Sequence, residues 1–349
     1  MSEIKVNSIK GVGASSAAIT VNNTDGTCTA NLTNRTNKNL IINGAMQVAQ
    51  RGTSSTSDGY QTVDRFNTED GGANEAGTRE QVDVASGTTP YTEGFRKALK
   101  FTNGNQTAGA DSGDYIAIWT VLEAQDIANS GWNYTSSSSY ITLSFWVKSS
   151  VAKTFYGYIR TQDGTNYNYP FETGSLSADT WTKVTKTIPG NSNLVFNNDN
   201  GAGLSVEIWP YIGTSYTDSS VSLNAWKSYS SSARTPVDAG TSFWTTDNAT
   251  FEITGVQLEV GSVATDFEHR SFGQELALCQ RYFEKTSMYL STNGYPFIYQ
   301  TEKRAAATVT SPDAGGTFTL AGVTPSSSSM WVRRTGGGGQ YTIHIDAEL

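Results

Sequence analysis

The sequence predicts a mainly β protein: an antiparallel jelly-roll β-sandwich, preceded by an extended attachment segment and followed by one short helix and a small C-terminal β-domain. Three observations carry the prediction. Apolar and polar residues alternate through many short runs, the period of strands with one buried face. Turns rich in Gly, Asn and Asp separate those runs. An apolar stripe of helical period stands out at one place, near residue 272. At 349 residues the chain can bury a sizeable core in one large sandwich with appendages.

The elements follow in order. Residues 1–38 offer only short apolar groups, Ile4, Val6 and Ile9, then Ala18, Ile19 and Val21, before the turn Asn22-Asn23-Thr24-Asp25-Gly26. Strands so short and polar do not fold alone, so this segment is expected to pair with other chains or dock on a larger body, a flexible terminus being the alternative. Residues 39–270 read as the sandwich. In Tyr140 to Lys148, Ile141, Leu143, Phe145 and Val147 point inward, while Thr142, Ser144, Trp146 and Lys148 point outward. Phe155 to Arg160 repeats the pattern, with Phe155 and Ile159 inward and Tyr156, Tyr158 and Arg160 outward. Leu204 to Tyr211 places Leu204, Val206 and Ile208 inward and Glu207, Trp209 and Tyr211 outward. Trp181 to Ile188 and Phe251 to Val260 add two strands, the second slipping phase at a bulge near Gly255.

A helix opens residues 271–349. Ser271-Phe272-Gly273-Gln274 has the form of a capping box, Glu275 suits a helix N-terminus, and Phe272, Leu276, Cys279 and Phe283 form the stripe. Cys279 on that stripe reads as a packing residue. Short strands return over Met288 to Gln300, Ala306 to Thr310, Phe318 to Val323, Met330 to Arg333 and Tyr341 to Glu348, with the tract Gly336 to Gly339 as a loop.

Composition narrows the function. Charged residues make up only 16% and the net charge is −8, which speaks against phosphate neutralisation on nucleic acid and against anionic membrane surfaces. Met1 to Asn7 has no apolar leader pattern and no later run approaches membrane-spanning length, so no membrane insertion is expected. Cys28 and Cys279 lie in dissimilar segments and are not expected to form a disulfide. His269 and His344 lack zinc-site spacing, and no Asp-rich loop marks a calcium site; no metal or cofactor is expected. Triplets such as Asn31-Leu32-Thr33 and Asn133-Tyr134-Thr135 read as accidents of an Asn- and Thr-rich composition.

No nucleophile elbow, phosphate-cradling loop or metalloprotease helix is present, and catalysis is not expected. Glycoside hydrolysis needs only two carboxylates, for which Asp111, Asp114, Glu172 and Glu207 are candidates; isolated loop carboxylates are more often solvated surface. The aromatic pattern is more informative. Trp146, Tyr156, Tyr158, Trp209 and Tyr211 all fall on outward phases, with Arg160 and Glu207 among them. Two readings stand. These rings pack under a loop or another subunit, as aromatics often do at interfaces, or they stack on sugar rings while nearby polar groups take the hydroxyls.

Two stretches resemble a known family. Asn39-Leu40-Ile41-Ile42-Asn43-Gly44-Ala45-Met46-Gln47-Val48-Ala49-Gln50-Arg51-Gly52, followed by Tyr60 to Phe66, resembles the opening of a domain in tail fibre proteins of marine bacteriophages. Phe66 stands where that family usually has Trp. Ile253 to Gly261, continuing through Ala264 to Glu268 and Gln280 to Phe283, is similar to a second segment, and Asp346-Ala347-Glu348-Leu349 to the way such chains end. The intervening strands resemble carbohydrate-binding jelly-rolls at the level of fold. The resemblance implies a homotrimeric virion appendage, joined to other tail or virion proteins through residues 1–38 and adhering to a host-surface glycan, lipopolysaccharide or protein receptor. The helix-led C-terminal part would be the tip, with Arg333 and Arg334 in its loops. Such a protein is made in the host cytoplasm and resides in the virion. A capsid-surface or tail-assembly component without receptor, and a polysaccharide depolymerase, are the alternatives.

Overall fold

The computed structural model describes residues 8–10, 12, 19–21, 28–30, 37–238, 240, 242–290, 295–312, 320–321, 326–334 and 339–349. In the N-terminal segment, β1 (Ser8–Ile9), β2 (Ile19–Val21) and β3 (Cys28–Ala30) pair antiparallel with one another. The sandwich then runs through β4 (Ser54–Ser55), β5 (Asn67–Gly71), β6 (Thr78–Asp83), β7 (Lys97–Thr102), β8 (Tyr115–Glu123) and β9 (Tyr140–Ser149). It continues through β10 (Thr154–Thr161), β11 (Tyr167–Ser175), β12 (Thr182–Pro189), β13 (Ala202–Ile212), β14 (Lys227–Ser228) and β15 (Thr250–Val260). Three short helices, α1 (Thr89–Thr92), α2 (Ala124–Ala128) and α3 (Ser242–Thr245), punctuate it.

Two antiparallel six-stranded sheets result, ordered β14-β11-β10-β13-β8-β5 and β12-β9-β15-β7-β6-β4. The inward residues read from the alternation meet between them: Ile141, Leu143, Phe145 and Val147 face Phe155, Ile159, Leu204, Val206 and Ile208 in one buried cluster. Burying each such side chain contributes roughly 1.5–3 kcal/mol, which is why the alternation decides the fold. The β15 slip is present as a register shift between Thr254 and Gln257, with Gly255 at φ +64°. A Cβ there would also come within 2.7 Å of the Phe95 ring, so both conformation and space require glycine.

The outward phases differ from expectation in two ways. They are only partly solvated: Thr142, Ser144, Trp146, Glu207 and Trp209 are buried, while Lys148, Tyr156 and Arg160 are half-buried. Moreover, Tyr211 does not point outward. A second irregularity, between Ile208 and Tyr211 in the β13–β8 pairing, changes its phase, and Tyr211 packs in the core against Trp244 with ring centroids 5.1 Å apart. A one-residue slip moves a side chain to the other face.

Beyond the sandwich, α4 (Phe272–Gln280) carries the capping box: the Ser271 hydroxyl accepts from Gln274 N–H and the Gln274 side chain accepts from Ser271 N–H. Its expected apolar stripe is corrected. Cys279 and Phe283 are buried as the stripe requires, but Phe272 is 56% exposed and Glu275 joins the buried face. Glu275 accepts from Asn43 N–H and lies 3.3 Å from Arg270, so the helix docks through a carboxylate. Cys279 is a free thiol whose burial pushes it well above its ordinary range. The strands β16 (Phe283–Leu290), β17 (Tyr295–Ile298), β18 (Thr308–Thr310), β19 (Leu320–Ala321), β20 (Ser329–Arg334) and β21 (Gly339–Asp346) form two three-stranded sheets, β16-β21-β18 and β17-β20-β19. Leu290, Tyr299, Met330, Val332, Ile343 and Ile345 make their separate core, beside a fully buried Lys303–Glu284 pair at 2.6 Å.

The segments that carry the family resemblance converge where these two cores meet. Asn43 donates to the carbonyls of Val48 and Asp64, and Gln50 bonds Asp64 and the Phe283 carbonyl. Arg51 lies 3.5 Å over the Phe283 ring and pairs with Asp346 at 2.8 Å and Glu348 at 3.3 Å. Arg65, in left-handed backbone at φ +69°, lies over Tyr282, pairs with Glu348 and donates to the Val121 carbonyl. A positive φ at a non-glycine residue costs of order 1–3 kcal/mol, and these bonds hold it. Glu259 and Gln257 in turn bond the 265–268 loop, whose Glu268 accepts from Asn39 N–H. In this chain the segments form a buried polar weld between sandwich and C-terminal sheets.

Candidate functional site: a groove on the outer face of one sheet

The outer face of the β14-β11-β10-β13-β8-β5 sheet is built by register. Tyr158 of β10 stands opposite Glu207 of β13, and Glu207 opposite Trp119 of β8. One step along, Arg160 stands opposite Ser205, and on the other side Tyr156 stands opposite Trp209. Side chains at these alternate positions share a face.

A loop over residues 213–235 crosses part of that face. Arg234 N–H donates to the Tyr216 carbonyl, Tyr229 N–H to the Asn166 carbonyl, and the Asn168 side chain to the Arg234 carbonyl, each at 2.8 Å. The loop thereby sets Tyr216, Tyr229 and Arg234 against the sheet. Trp209 is enclosed by Tyr115 at 5.4 Å, a nearly parallel Tyr158 at 6.1 Å and Tyr216 at 6.2 Å. Arg160 lies 4.0 Å over Tyr229, and Arg234 5.0 Å over Trp209 and 4.6 Å over Tyr216. Between loop and sheet remains a groove of about 290 Å³, with Trp119, Tyr115 and Tyr229 as half-buried walls and Tyr158 and Trp209 as its buried floor.

The polar groups of the groove are under-satisfied. Trp209 Nε1, Arg160 Nε and the Tyr158 hydroxyl are buried with no hydrogen-bond partner among the described residues. Buried donors left unpaired cost about 1–3 kcal/mol each. Glu207 accepts from the Ser205 hydroxyl at 2.8 Å, and burial raises its carboxyl above the usual range against the pull of Tyr158, Ser205, Arg160 and Arg234. Tyr158 stands beside it without the alignment of a hydrogen bond and is itself raised, by burial first and Glu207 second. Glu69 also lines the groove; burial raises it, and the Tyr115 hydroxyl donates to it at 3.2 Å. Tyr115 is pushed up to about 12 by burial and by Glu69.

Of the residues singled out from sequence, Tyr158, Arg160 and Trp209 come together here, with Glu207 from the carboxylate set. Tyr156 shares the face but lies outside the groove, half-buried beside Glu172 and Asp238. Trp146 belongs to the opposite sheet. Its Nε1 donates to Glu93 at 3.1 Å, Lys183 lies over its ring at 5.8 Å, and Phe95, Tyr91 and Phe267 cover it. Tyr211 is in the core, as described. Asp114 is buried at another loop, accepting from Asp111 N–H. The side chains of Arg333 and Arg334 and the loop over 335–338 lie outside the described residues. His269 bonds the Glu93 carbonyl at 2.8 Å and packs on Phe95 and Phe267, while His344 packs against Phe283. Among the described residues no group of three or more His, Cys, Asp or Glu is placed to hold a metal ion.

Sequence reasoning missed Tyr115, Trp119 and Glu69, although Tyr115 to Glu123 alternates Tyr115, Ala117, Trp119 and Val121 with Ile116, Ile118 and Leu122 as clearly as the strands that were read. Tyr229 and Arg234 carry no such signal, since a polar loop has no period.

No protein-family model and no curated protein sequence matches the chain. Similar solved structures include the enzymatically active domain of tailspike protein 4 of bacteriophage CBA120, at TM-score 0.33 and 9% identity over 64% of this chain, which spans only 21% of that one. They include the N-terminal cellulose-binding domain of Cellulomonas fimi β-1,4-glucanase C, at TM-score 0.31 and 10% identity over 62% of this chain and 100% of that one. The family 11 carbohydrate-binding module of Clostridium thermocellum, solved with a β-1,3-1,4-mixed-linked tetrasaccharide, matches at TM-score 0.26 and 11% identity over 62% of this chain and 98% of that one. At scores of this size the likeness carries no functional argument, and the jelly-roll sandwich stands on its own two sheets.

Proposed function

We propose that the chain is an adhesive virion protein of a bacteriophage, a tail fibre that binds a host-surface glycan through the groove over β8, β10 and β13, without catalysis. One observation carries the binding part: half-buried aromatic walls surround buried donors that lack partners, at Tyr158, Trp209 and Arg160. Flat rings suit the C–H faces of sugars, and fixed donors suit their hydroxyls. At about 290 Å³ the groove lies at the small end of ligand sites. The setting rests on the resemblance of the segments near Asn39 and Val256 to marine-phage tail fibres, which implies a homotrimer, attachment to other virion proteins through residues 1–38, and a place in the virion after synthesis in the host cytoplasm.

Trp119 tests the groove better than Trp209, because Trp209 is only 3% exposed and its loss would disturb the fold. Trp119→Ala is expected to leave the melting temperature within a few degrees while abolishing binding of labelled protein to host cells and its block of phage adsorption. Retained binding by the variant would sink the assignment.

A second reading, hydrolysis of the same glycan, is favoured by one observation: Glu69 and Glu207 line one groove and both carboxyls are held above their usual range. It predicts release of reducing ends from host polysaccharide, lost in Glu207→Gln. The adhesive reading predicts none from the wild type.

A further inference from the structure

We infer that the glycan unit taken by this groove carries an acidic substituent, a carboxylate or a sulfate or phosphate ester, recognised by Arg160 and Arg234. The inference rests on the glycan-binding reading above and goes further in naming the ligand class.

The other arginines with described side chains spend their charge elsewhere. Arg51, Arg65, Arg79, Arg270 and Arg281 are each in ion pairs with Asp or Glu, and Arg96 and Arg304 donate to backbone carbonyls. Arg160 and Arg234 do neither in full. No carboxylate lies within ion-pair distance of either among the described residues; Arg234 uses only its Nε, on the Ser231 carbonyl, and the buried Nε of Arg160 has no partner. Both are held instead by rings, Arg160 on Tyr229 and Arg234 between Trp209 and Tyr216. Stacking fixes a guanidinium in plane and leaves its edge N–H groups for an acceptor. In a chain of net charge −8, two arginines are stacked in one groove with no carboxylate at ion-pair distance among the described residues.

Glu207 and Glu69 line the same groove, and Arg160 and Arg234 act on the Glu207 carboxyl through space without reaching ion-pair distance. Glu207 accepts from the Ser205 hydroxyl, and Glu69 from the Tyr115 hydroxyl. Each is engaged by hydroxyls on its own part of the face, and the guanidinium edges remain for the ligand. A charge-assisted pair in a partly enclosed groove is roughly twice as strong as a neutral hydrogen bond, which makes the acid group the discriminating feature of the sugar.

The test is a glycan array of matched pairs: uronate-containing oligosaccharides against their carboxyl-reduced forms, and sulfated or phosphorylated oligosaccharides against the unesterified ones, probed with full-length wild type, Arg160→Gln, Arg234→Gln and Arg96→Gln. The expected result is at least about tenfold stronger binding to acidic members, lost in the two groove variants and kept in Arg96→Gln; which pairs discriminate identifies carboxylate or ester as the source. Arg160→Lys, which keeps the charge without the planar fork, is expected to recover part of the preference and guards against a folding defect in Arg160→Gln. Equal binding to acidic and neutral partners overturns the acidic-ligand inference and leaves the glycan reading standing. Absence of binding to every glycan overturns both.

Discussion

The two outer faces of the sandwich each bury a tryptophan on an outward strand phase, and they treat it in opposite ways. On the β12-β9-β15-β7-β6-β4 sheet, Trp146 is sealed by Phe95, Tyr91 and Phe267, and its indole N–H is given to Glu93. On the other sheet, Trp209 is enclosed by tyrosines, and its indole N–H has no hydrogen-bond partner among the described residues. Burial is nearly equal, 7% against 3% exposed. The difference is satisfaction. Trp146 completes its hydrogen bonding inside the fold, whereas Trp209, in the proposed binding groove, does not among the described residues.

The largest way to break the comparison is to remove the sealed ring. Trp146→Ala is expected to destabilise the sandwich by about 3–5 kcal/mol, read by chemical denaturation, while glycan binding per folded molecule stays at the wild-type level. Loss of binding in the folded fraction would show that the two faces are coupled and that Trp146 is more than packing.

Next in size is the pH response of the weld between the sandwich and the C-terminal sheets. Asp64 is 1% exposed and burial lifts its carboxyl to about 6, against the hydrogen bonds donated by Gln50. The folded chain therefore holds this proton more tightly than the unfolded chain does. Stability from this group is present at pH 4 and is lost as pH rises toward 6, by about 3 kcal/mol for a group displaced this far. Asp64→Asn is expected to flatten the slope of unfolding free energy between pH 4 and 6 relative to wild type. A variant with the wild-type slope would mean that Asp64 keeps its ordinary affinity for the proton.

What the sequence made legible follows the same physical division. Period-two alternation exposed the core strands, because Ile141, Leu143, Phe145 and Val147 must all face one way. It misplaced Tyr211, since an irregularity of pairing leaves no mark in the alternation itself. It misread α4, since Glu275 docks the helix through partners more than 200 residues away, at Asn43. The weld illustrates the limit most fully. Arg51, Arg65 and Glu348 stood inside recognisable segments, but their pairing depends on which loops the fold brings together, and only three-dimensional proximity records that. The groove lies between the two cases: its floor was readable on β10 and β13, and its lid was not.

The smallest effect is the sharpest test of the contrast between the tryptophans. Phenylalanine at position 146 or 209 removes the same atoms from a buried site, so the packing cost is similar in the two variants. Only at position 146 does it also remove a hydrogen bond to a carboxylate, and that carboxylate, Glu93, is 40% exposed and can rehydrate. Trp146→Phe is therefore expected to cost about 1 kcal/mol more than Trp209→Phe. In saturating glycan the gap should narrow further or reverse, because the Trp209 indole then has a partner to lose. Equal costs without ligand would mean that the Trp209 N–H is already satisfied in the free protein, and the reserve that defines the groove would not exist.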